Sequence, residues 1–159
     1  MKYTENEKFM LEALKEAKRA LAKDEVPVGC VIVKNGKIIS RGHNLRETKS
    51  SSLGHAEIIA IHKACKKLNN FRLEGCDMYV TLEPCLMCSG AIVQSRIREV
   101  FFGASDPKYG AVESIARAFE IKSNHSVKYT SGVLADKCGN IIKDFFKELR
   151  QKNKNNKEN

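Results

Sequence analysis

The chain contains the stretch Met78-Tyr79-Val80-Thr81-Leu82-Glu83-Pro84-Cys85-Leu86-Met87-Cys88, which predicts a strand followed at once by a helix. Residues 78–82 combine β-branched, aromatic and long apolar side chains, as is typical of a buried strand. Pro84 is favoured in the first turn of a helix, so we expect a helix that runs on to residue 95. Cys85 and Cys88 stand three positions apart, and both thiols should therefore lie on one face of that helix.

The order of elements around this stretch predicts an α/β fold. Thr4 and Glu7 form a capping box for a first helix that extends to about Lys23, and Asn35-Gly36 is a strong signal for a two-residue hairpin. The other predicted elements are strands at 28–34, 37–42, 78–82, 99–103 and 127–131, and helices at 56–68 and 135–152. Strand-helix-strand units between residues 56 and 103 require a parallel crossover. We therefore expect a mixed five-stranded sheet with helices on both faces.

Length and composition predict one domain that spans residues 1–159. The chain has 159 residues, 42% of them hydrophobic, which is enough for one sizeable core and short for two. Residues 151–159 are expected to form a frayed basic tail. The sequence has no basic-then-apolar leader and no apolar run of membrane-spanning length, so we expect a cytoplasmic protein whose six cysteines are reduced thiols.

A second segment, His55-Ala56-Glu57, is expected to meet the cysteine pair. His55 and Glu57 are two positions apart and would point to nearly opposite sides of a regular helix, so we place them at the entrance of the helix predicted at 56–68. The ion would then lie beyond the helix axis, where two helix N-termini meet. The partial positive charge at a helix N-terminus also favours the thiolate that zinc requires.

His55, Cys85 and Cys88 supply three zinc ligands, with the Glu57 carboxylate beside them. A structural zinc site uses four protein ligands, whereas a hydrolytic site keeps a position for water. A Cys-x-x-Cys pair alone is also compatible with a redox pair or with half of a four-cysteine zinc site. The latter needs a second close pair, and the remaining cysteines are scattered singly at positions 30, 65, 76 and 138. The three-ligand set therefore favours an enzyme.

The combination of His-x-Glu with Pro-Cys-x-x-Cys is the signature of zinc-dependent nucleobase deaminases. Over nearly its whole length the chain resembles the bacterial tRNA-specific adenosine deaminases. The similar stretches are Glu25-Val26-Pro27-Val28-Gly29, Gly42-His43-Asn44, His55-Ala56-Glu57, Tyr79-Val80-Thr81-Leu82-Glu83-Pro84-Cys85, Phe102-Gly103-Ala104 with Asp106, Lys108 and Gly110, and Asp144-Phe145-Phe146. Two positions depart from the family pattern: Gly54 replaces an expected small residue such as alanine, and Glu113 an expected glycine.

This resemblance implies a cytidine-deaminase-like three-layer α/β/α sandwich and conversion of the wobble adenosine of a tRNA anticodon to inosine. It implies one zinc ion per subunit, held by His55, Cys85 and Cys88. Glu57 is expected to take a proton from the attacking water, pass it to the purine ring and assist the departure of ammonia from C6. Relatives of this family form homodimers, so a homodimer is expected here too.

The resemblance also implies a set of substrate contacts. The implied residues are Asn44 for the purine, Pro27, Val28 and Gly29 for the pocket wall, Asp106 and Lys108 for ribose and phosphate, and Phe145 and Phe146 for a splayed anticodon base. Each has an ordinary structural alternative. Asn44 and Asp106 suit turns, the Pro27 segment suits any strand start, and one of the two phenylalanines is expected in the core.

The formal charge of +9, from 28 Lys and Arg against 19 Asp and Glu, suits a polyanionic partner such as a tRNA anticodon stem-loop. Two other functions remain open from the sequence. A deaminase of a free base or nucleotide, such as guanine, cytidine or deoxycytidylate, would have the same zinc site. A catalytically silent zinc-stabilised binding module would not need a carboxylate beside the metal, and Glu57 counts against it.

Overall fold

The first helix of the chain begins at the predicted capping box. The computed structural model describes residues 2–159, and in it α1 (Glu5–Leu21) starts after Thr4, whose hydroxyl accepts from the Glu7 N–H while the Glu7 carboxylate accepts from the Thr4 N–H. The other elements, besides a short 3-10 helix at Ala118–Glu120, are β1 (Gly29–Lys34), β2 (Lys37–His43), α2 (Ala56–Leu68), β3 (Cys76–Leu82), α3 (Leu86–Gln94), β4 (Glu99–Ala104), β5 (Lys128–Thr130) and α4 (Ala135–Glu158).

The five strands form one mixed sheet in the order β2-β1-β3-β4-β5, which confirms the predicted architecture. β1 is antiparallel to both β2 and β3, whereas β3, β4 and β5 run parallel. The register pairs Gly29 with His43 on one side of β1, and Leu82 with Ala104 between β3 and β4. The beginning of β1 therefore lies beside the ends of β2, β3 and β4, at what we call the site end of the sheet.

Two hydrophobic layers cover the faces of this sheet. On one face, α1 and α4 pack against alternate strand residues, including Val31, Val33, Tyr79 and Phe101. On the other face, α2 and α3 pack against the intervening residues, including Cys30, Ile32, Met78, Val80, Val100 and Phe102. Successive strand residues point to opposite faces, so every central strand is buried on both sides. The three-layer α/β/α sandwich is thereby confirmed.

Two glycines set the distance between helices and sheet near the site end. A Cβ at Gly29 would lie 1.9 Å from the backbone oxygen of Ala13 in α1, and one at Gly42 would lie 2.5 Å from that of Ala56 in α2. Neither position has room for a side chain, so each helix rests directly on the strand it crosses. The contact at Gly42 holds the first turn of α2 against β2, and this fixes the entrance of α2 at the site end.

The C-terminal helix is longer than predicted. The sequence predicts a helix that ends near residue 152 with a frayed tail at 151–159, whereas α4 continues to Glu158. No glycine or proline occurs after Gly139, so nothing in the local sequence stops the helix. The residues from 147 onward are all exposed, and Cys138 is the buried residue of this helix. Within residues 2–159, none of the helices has the length and apolar character needed to span a membrane.

Candidate metal centre and active site

Two helix N-termini meet at the site end of the sheet, as the sequence predicts. His55 is the N-cap of α2, and Cys85 is the N-cap of α3, both with extended backbone. The sequence places Cys85 inside the helix, but α3 begins one residue later, so Pro84 precedes the cap. The Asn44 side-chain oxygen accepts from the Ala56 N–H at 2.9 Å and so ties the end of β2 to the first residue of α2.

His55, Cys85 and Cys88 form a cluster that fits one metal ion. Their ligand atoms all lie within 4.8 Å of one another. His55 Nδ1 lies 3.6 Å from Cys85 Sγ and 3.5 Å from Cys88 Sγ. Tetrahedral zinc, with bonds of about 2.3 Å to sulfur and about 2.0–2.1 Å to nitrogen, places sulfur and nitrogen about 3.5–3.6 Å apart. The two measured separations agree with that geometry, and the donor set of one imidazole and two thiols is one that zinc prefers.

The electrostatics of the cluster favour a thiolate. A hydrogen bond from the Cys88 thiol, supported by one with His55, lowers the pKa of Cys85 to about 4. The same bond to Cys85, together with burial, raises the pKa of Cys88 above its ordinary value. Hydrogen bonding to Cys85 likewise raises the pKa of His55. The two sulfurs and the imidazole share protons in this way, and they release those protons when a metal cation binds.

Glu57 lies beside the cluster and is not one of the three clustered ligands. It is the second residue of α2, and its side chain is buried, which raises the pKa of Glu57 to about 7. The nearby imidazole of His55 favours the charged form of the carboxylate, but the effect of burial on the pKa is larger. A carboxyl group with a pKa near neutrality can both accept and return a proton at physiological pH, which is what a general acid-base requires.

A cleft of about 940 Å³ opens onto the metal cluster and Glu57. This volume is within the range of small-ligand and cofactor sites. The structure brings several predicted site residues into its lining: Val28, Asn44, His55, Glu57, Cys85, Asp106, Lys108 and Phe146. The floor thus consists of the metal cluster and the strand ends, and the rim carries the loop of residues 105–109 and one face of α4.

Three predicted substrate residues do not line this cleft. Pro27 is buried, and Gly29 faces the backbone of α1, where its missing side chain serves helix packing. Phe145 is half-buried and packs edge-on against Phe146, with ring centroids 5.2 Å apart. Of the two aromatic residues it is Phe146 that lines the cleft. The pocket wall at this point is formed by Val28 and by Val26, which the sequence analysis did not single out.

Other cleft residues were missed because only the fold brings them there. Arg46 and Tyr109 line the rim, and their exposed positions in loops gave no periodic signal. Glu83 lines the cleft as well, with its carboxylate turned into the loop of residues 105–114. The sequence showed Glu83 only as part of a family-like stretch between strand and helix.

The structure accommodates both departures from the family pattern. A Cβ at Gly54 would lie 2.9 Å from the Arg46 backbone nitrogen, so the glycine allows a close approach of the turn at residues 45–46. Glu113 has no left-handed backbone conformation, and its N–H donates to the Glu83 carboxylate at 2.9 Å. The loop at this point therefore does not need the conformational freedom of glycine.

Comparisons with known proteins agree with this site. Residues 3–104 match the family model described as the cytidine and deoxycytidylate deaminase zinc-binding region. The chain is 52% identical over 152 residues to the tRNA-specific adenosine deaminase of Bacillus subtilis (strain 168), covering 95% of this chain and 94% of the relative. It is 49% identical over 145 residues to that of Aquifex aeolicus (strain VF5), covering 91% and 95%.

A solved structure from a study of A-to-I editing by tRNA:A34 deaminases has the same fold. It superimposes with a TM-score of 0.81 at 44% sequence identity and covers 84% of this chain and 98% of that one. The shared fold therefore extends over most of this chain.

We predict that Cys85→Ser and Cys88→Ser each reduce bound zinc well below one ion per chain and lower the unfolding temperature, because metal binding is linked to folding. Metal analysis by mass spectrometry and thermal unfolding provide the measurements. Cys65→Ser is the matched control, since Cys65 lies at the far end of α2 and its hydrogen bond to the Phe71 carbonyl suits a hydroxyl equally well. Full zinc occupancy in both ligand variants would show that the ligand assignment is wrong.

Proposed function

This chain belongs to the zinc-binding family of cytidine and deoxycytidylate deaminases and, within it, to the tRNA-specific adenosine deaminases, and we propose that it converts the wobble adenosine of a tRNA anticodon to inosine. The observation that carries this function is the buried Glu57 carboxyl beside a three-ligand metal cluster at the floor of an open cleft. A silent zinc-stabilised module would have no use for such a group, and the open cleft gives substrate access to it.

The reaction replaces the C6 amino group of adenine by oxygen from water and releases ammonia. His55, Cys85 and Cys88 are proposed as the ligands of the zinc ion. When bound, zinc lowers the pKa of a water molecule to about 7 and makes that water a nucleophile at neutral pH. Glu57 accepts the proton that this water gives up. The same carboxyl then delivers the proton to the ring nitrogen next to C6 and later assists protonation of the departing amine.

Asn44 is proposed to orient the purine over this centre. Its side-chain oxygen already accepts from the Ala56 N–H, which also settles which end of the amide is oxygen. The amide nitrogen remains as a donor within the cleft lining, and it suits a ring nitrogen lone pair of a flipped base. Val28 and Leu82 supply apolar surface beside it. The sequence alone left both donor and acceptor available, and in the structure the oxygen already pairs with the first residue of α2.

The rim of the cleft is proposed to hold the sugar and phosphates of the RNA strand. Lys108 and Arg46 are exposed cations on the rim, and both can attract phosphate. Asp106 stands near them with a carboxylate able to accept from a ribose 2′-hydroxyl, a group that DNA lacks. Phe146 adds an apolar ring on which an unpaired base can stack. This combination favours RNA over a free nucleotide, which needs no extended rim.

We predict that the purified, zinc-loaded protein forms inosine from an anticodon stem-loop RNA that has adenosine at the wobble position. Free guanine, cytidine and deoxycytidylate, assayed in parallel for ammonia release, should remain unchanged. Mass spectrometry of nuclease digests detects the inosine. A stem-loop with guanosine at the wobble position is the matched control. Turnover of a small substrate with intact RNA would keep the zinc chemistry but show that the proposed substrate is wrong.

We predict that Glu57→Ala and Glu57→Gln keep one zinc ion per chain but lose activity, by about 10²–10⁴-fold, because the proton carrier is lost while the ligands remain. Single-turnover rates on the stem-loop and metal content are the measurements. Glu120→Gln is the control for the same change of charge, since the Glu120 side chain is exposed at the end of the 3-10 helix. A Glu57 variant with normal turnover would exclude this residue as the proton carrier.

The assembly and location of the protein are proposed from the family resemblance. We infer a homodimer that acts in the cytoplasm. Sedimentation equilibrium is expected to give a mass of twice the 17.8 kDa of one chain. A monomer at the concentrations at which the enzyme is active would contradict the dimer.

A further inference from the structure

Glu83 is a buried carboxylate in the wall of the cleft, directly after β3. It is 3% exposed, and no lysine, arginine or histidine forms an ion pair with it within residues 2–159. A charge buried without a cation needs strong hydrogen bonds in compensation. Glu83 lies two residues before Cys85, so whatever it contacts is held at a fixed place relative to the metal cluster.

Five hydrogen bonds from one loop satisfy this carboxylate. Oε1 accepts from the Asp106 N–H at 3.0 Å and from the Ser114 hydroxyl. Oε2 accepts from three consecutive backbone N–H groups, those of Val112 at 3.1 Å, Glu113 at 2.9 Å and Ser114 at 3.0 Å. Hydrogen bonds to an ionised acceptor are about twice as strong as neutral ones. A single side chain therefore ties together both ends of the loop formed by residues 105–114.

The loop contains a glycine, Gly110, where its main chain passes close to this carboxylate. A Cβ at Gly110 would lie 2.3 Å from both the carboxyl carbon and Oε1 of Glu83. The backbone conformation of Gly110 is not left-handed, so the glycine is needed for space and not for its φ angle. The main chain adds two further ties, from Glu83 N–H to the Ala104 oxygen and from Ala111 N–H to the Pro84 oxygen.

The hydrogen bond between Glu83 and the Asp106 N–H, which we call the anchor, also positions the loop residues that line the cleft. Asp106 Oδ1 accepts from the backbone N–H groups of Lys108 and Tyr109, each at 3.1 Å, and the Asp106 carbonyl accepts from the Gly110 N–H at 2.9 Å. Asp106 thus organises the turn that presents Lys108 and Tyr109 to the rim. Because the Asp106 N–H is itself held by Glu83, the position of all three side chains depends on that one carboxylate.

We propose that Glu83 is a positioning residue for the RNA substrate, which fixes the loop of residues 105–114 against the metal centre and sets the place of Asp106 and Lys108 over the cleft. This inference rests on the proposed function, since it names how the same site holds its RNA. Glu83 does not touch the reacting atoms in this role. It acts through the loop, and its loss should weaken binding of the substrate more than the chemical step.

Glu83→Gln releases the anchor selectively. Glutamine has one acceptor oxygen and one donor NH₂ group. In one orientation the glutamine oxygen accepts from the three amides of residues 112–114. Its NH₂ group then faces the Asp106 N–H, and two donors cannot form a hydrogen bond. The same NH₂ group can still donate to the Ser114 hydroxyl. The reverse orientation would lose three amide bonds. We therefore expect the variant to keep residues 112–114 in place and to free Asp106.

The test measures KM and kcat on the anticodon stem-loop for the wild type, Glu83→Gln and the exposed control Glu120→Gln, together with zinc content. For Glu83→Gln we expect KM to rise by about tenfold or more, from loss of a charge-assisted bond, with kcat within about threefold and zinc at one per chain. Glu120→Gln should match the wild type. A merely structural role would instead lower kcat and zinc content through a smaller folded fraction and leave KM unchanged, and this result would overturn the proposal.

Two further measurements distinguish loss of the anchor from loss of folding and from a wrong substrate assignment. Amide hydrogen exchange of Asp106 should accelerate in Glu83→Gln while that of residues 112–114 stays near the wild type, and unchanged exchange at Asp106 would overturn the anchor. Asp106→Ala should raise KM in the wild type but add little in Glu83→Gln, because both act through the position of the turn at residues 106–109. Fully additive effects would also overturn it. A wild type that fails on RNA altogether marks failure of the proposed function, while hydrogen exchange still decides the anchor.

Discussion

The meeting of two helix N-termini at one end of the sheet is the constraint on which the rest of this structure depends. His55 and Cys85 come from segments 30 residues apart, and each caps its helix at the site end. Three features bring them together: the parallel crossover from β3 through α3 to β4, the antiparallel pairing of β1 with β2, and the close packing of α2 against Gly42. Helix dipoles converging on a point stabilise negative charge there, so the fold prepares the site for thiolates and for a carboxylate.

Three buried glutamates have different roles: Glu57 and Glu83 line the cleft, and Glu25 holds a loop that leads to its rim. Burial alone would raise the pKa of Glu83 and of Glu25, but hydrogen bonds from loop donors hold both pKa values below the ordinary value. Glu25 accepts from the backbone N–H groups of Glu47 and Thr48, in the loop that carries Arg46 to the rim. For Glu57 burial prevails, and its pKa rises to about 7. Two carboxylates thus remain ionised as loop anchors, while the third can exchange a proton.

The parts of this structure that local rules govern could be predicted from the sequence. The capping box at Thr4, the Asn35-Gly36 turn with both residues at positive φ, and the bounds of α2 follow from propensity and spacing. The positions of His55 and Cys85 follow from the stereochemistry of a helix entrance. The anchoring role of Glu83 did not follow, because its five partners lie 23 to 31 residues away and are mostly backbone amides, which any sequence supplies.

Other misses have equally physical causes. Gly29 matches a family motif, but its neighbours are backbone atoms of α1, and sequence does not say which element will press on a glycine. The choice between Phe145 and Phe146 depends on how α4 is rotated about its axis, and this rotation depends on tertiary packing of residues such as Cys138 and Ile141. The end of α4 was misplaced because charge and polarity resemble those of a disordered tail, although nothing in that segment breaks a helix.

Discrimination between an RNA and a free nucleotide must arise at the rim of the cleft, since the metal cluster and Glu57 would serve any aminopurine or aminopyrimidine. The floor is made of strand ends and helix entrances that adjoin close-packed cores, so it sets the chemistry and leaves little room for variation. Besides one face of α4, the rim consists of two loops, each held by a buried carboxylate. Loops tied in this way pay little ordering entropy when an RNA strand binds, because the folded chain has already fixed them. A free nucleotide would gain nothing from loops that are already ordered, whereas the proposed anticodon-loop substrate would contact the rim on both sides of the flipped base. Under the proposed function, the fixed loops are therefore the part of this fold that suits an RNA substrate.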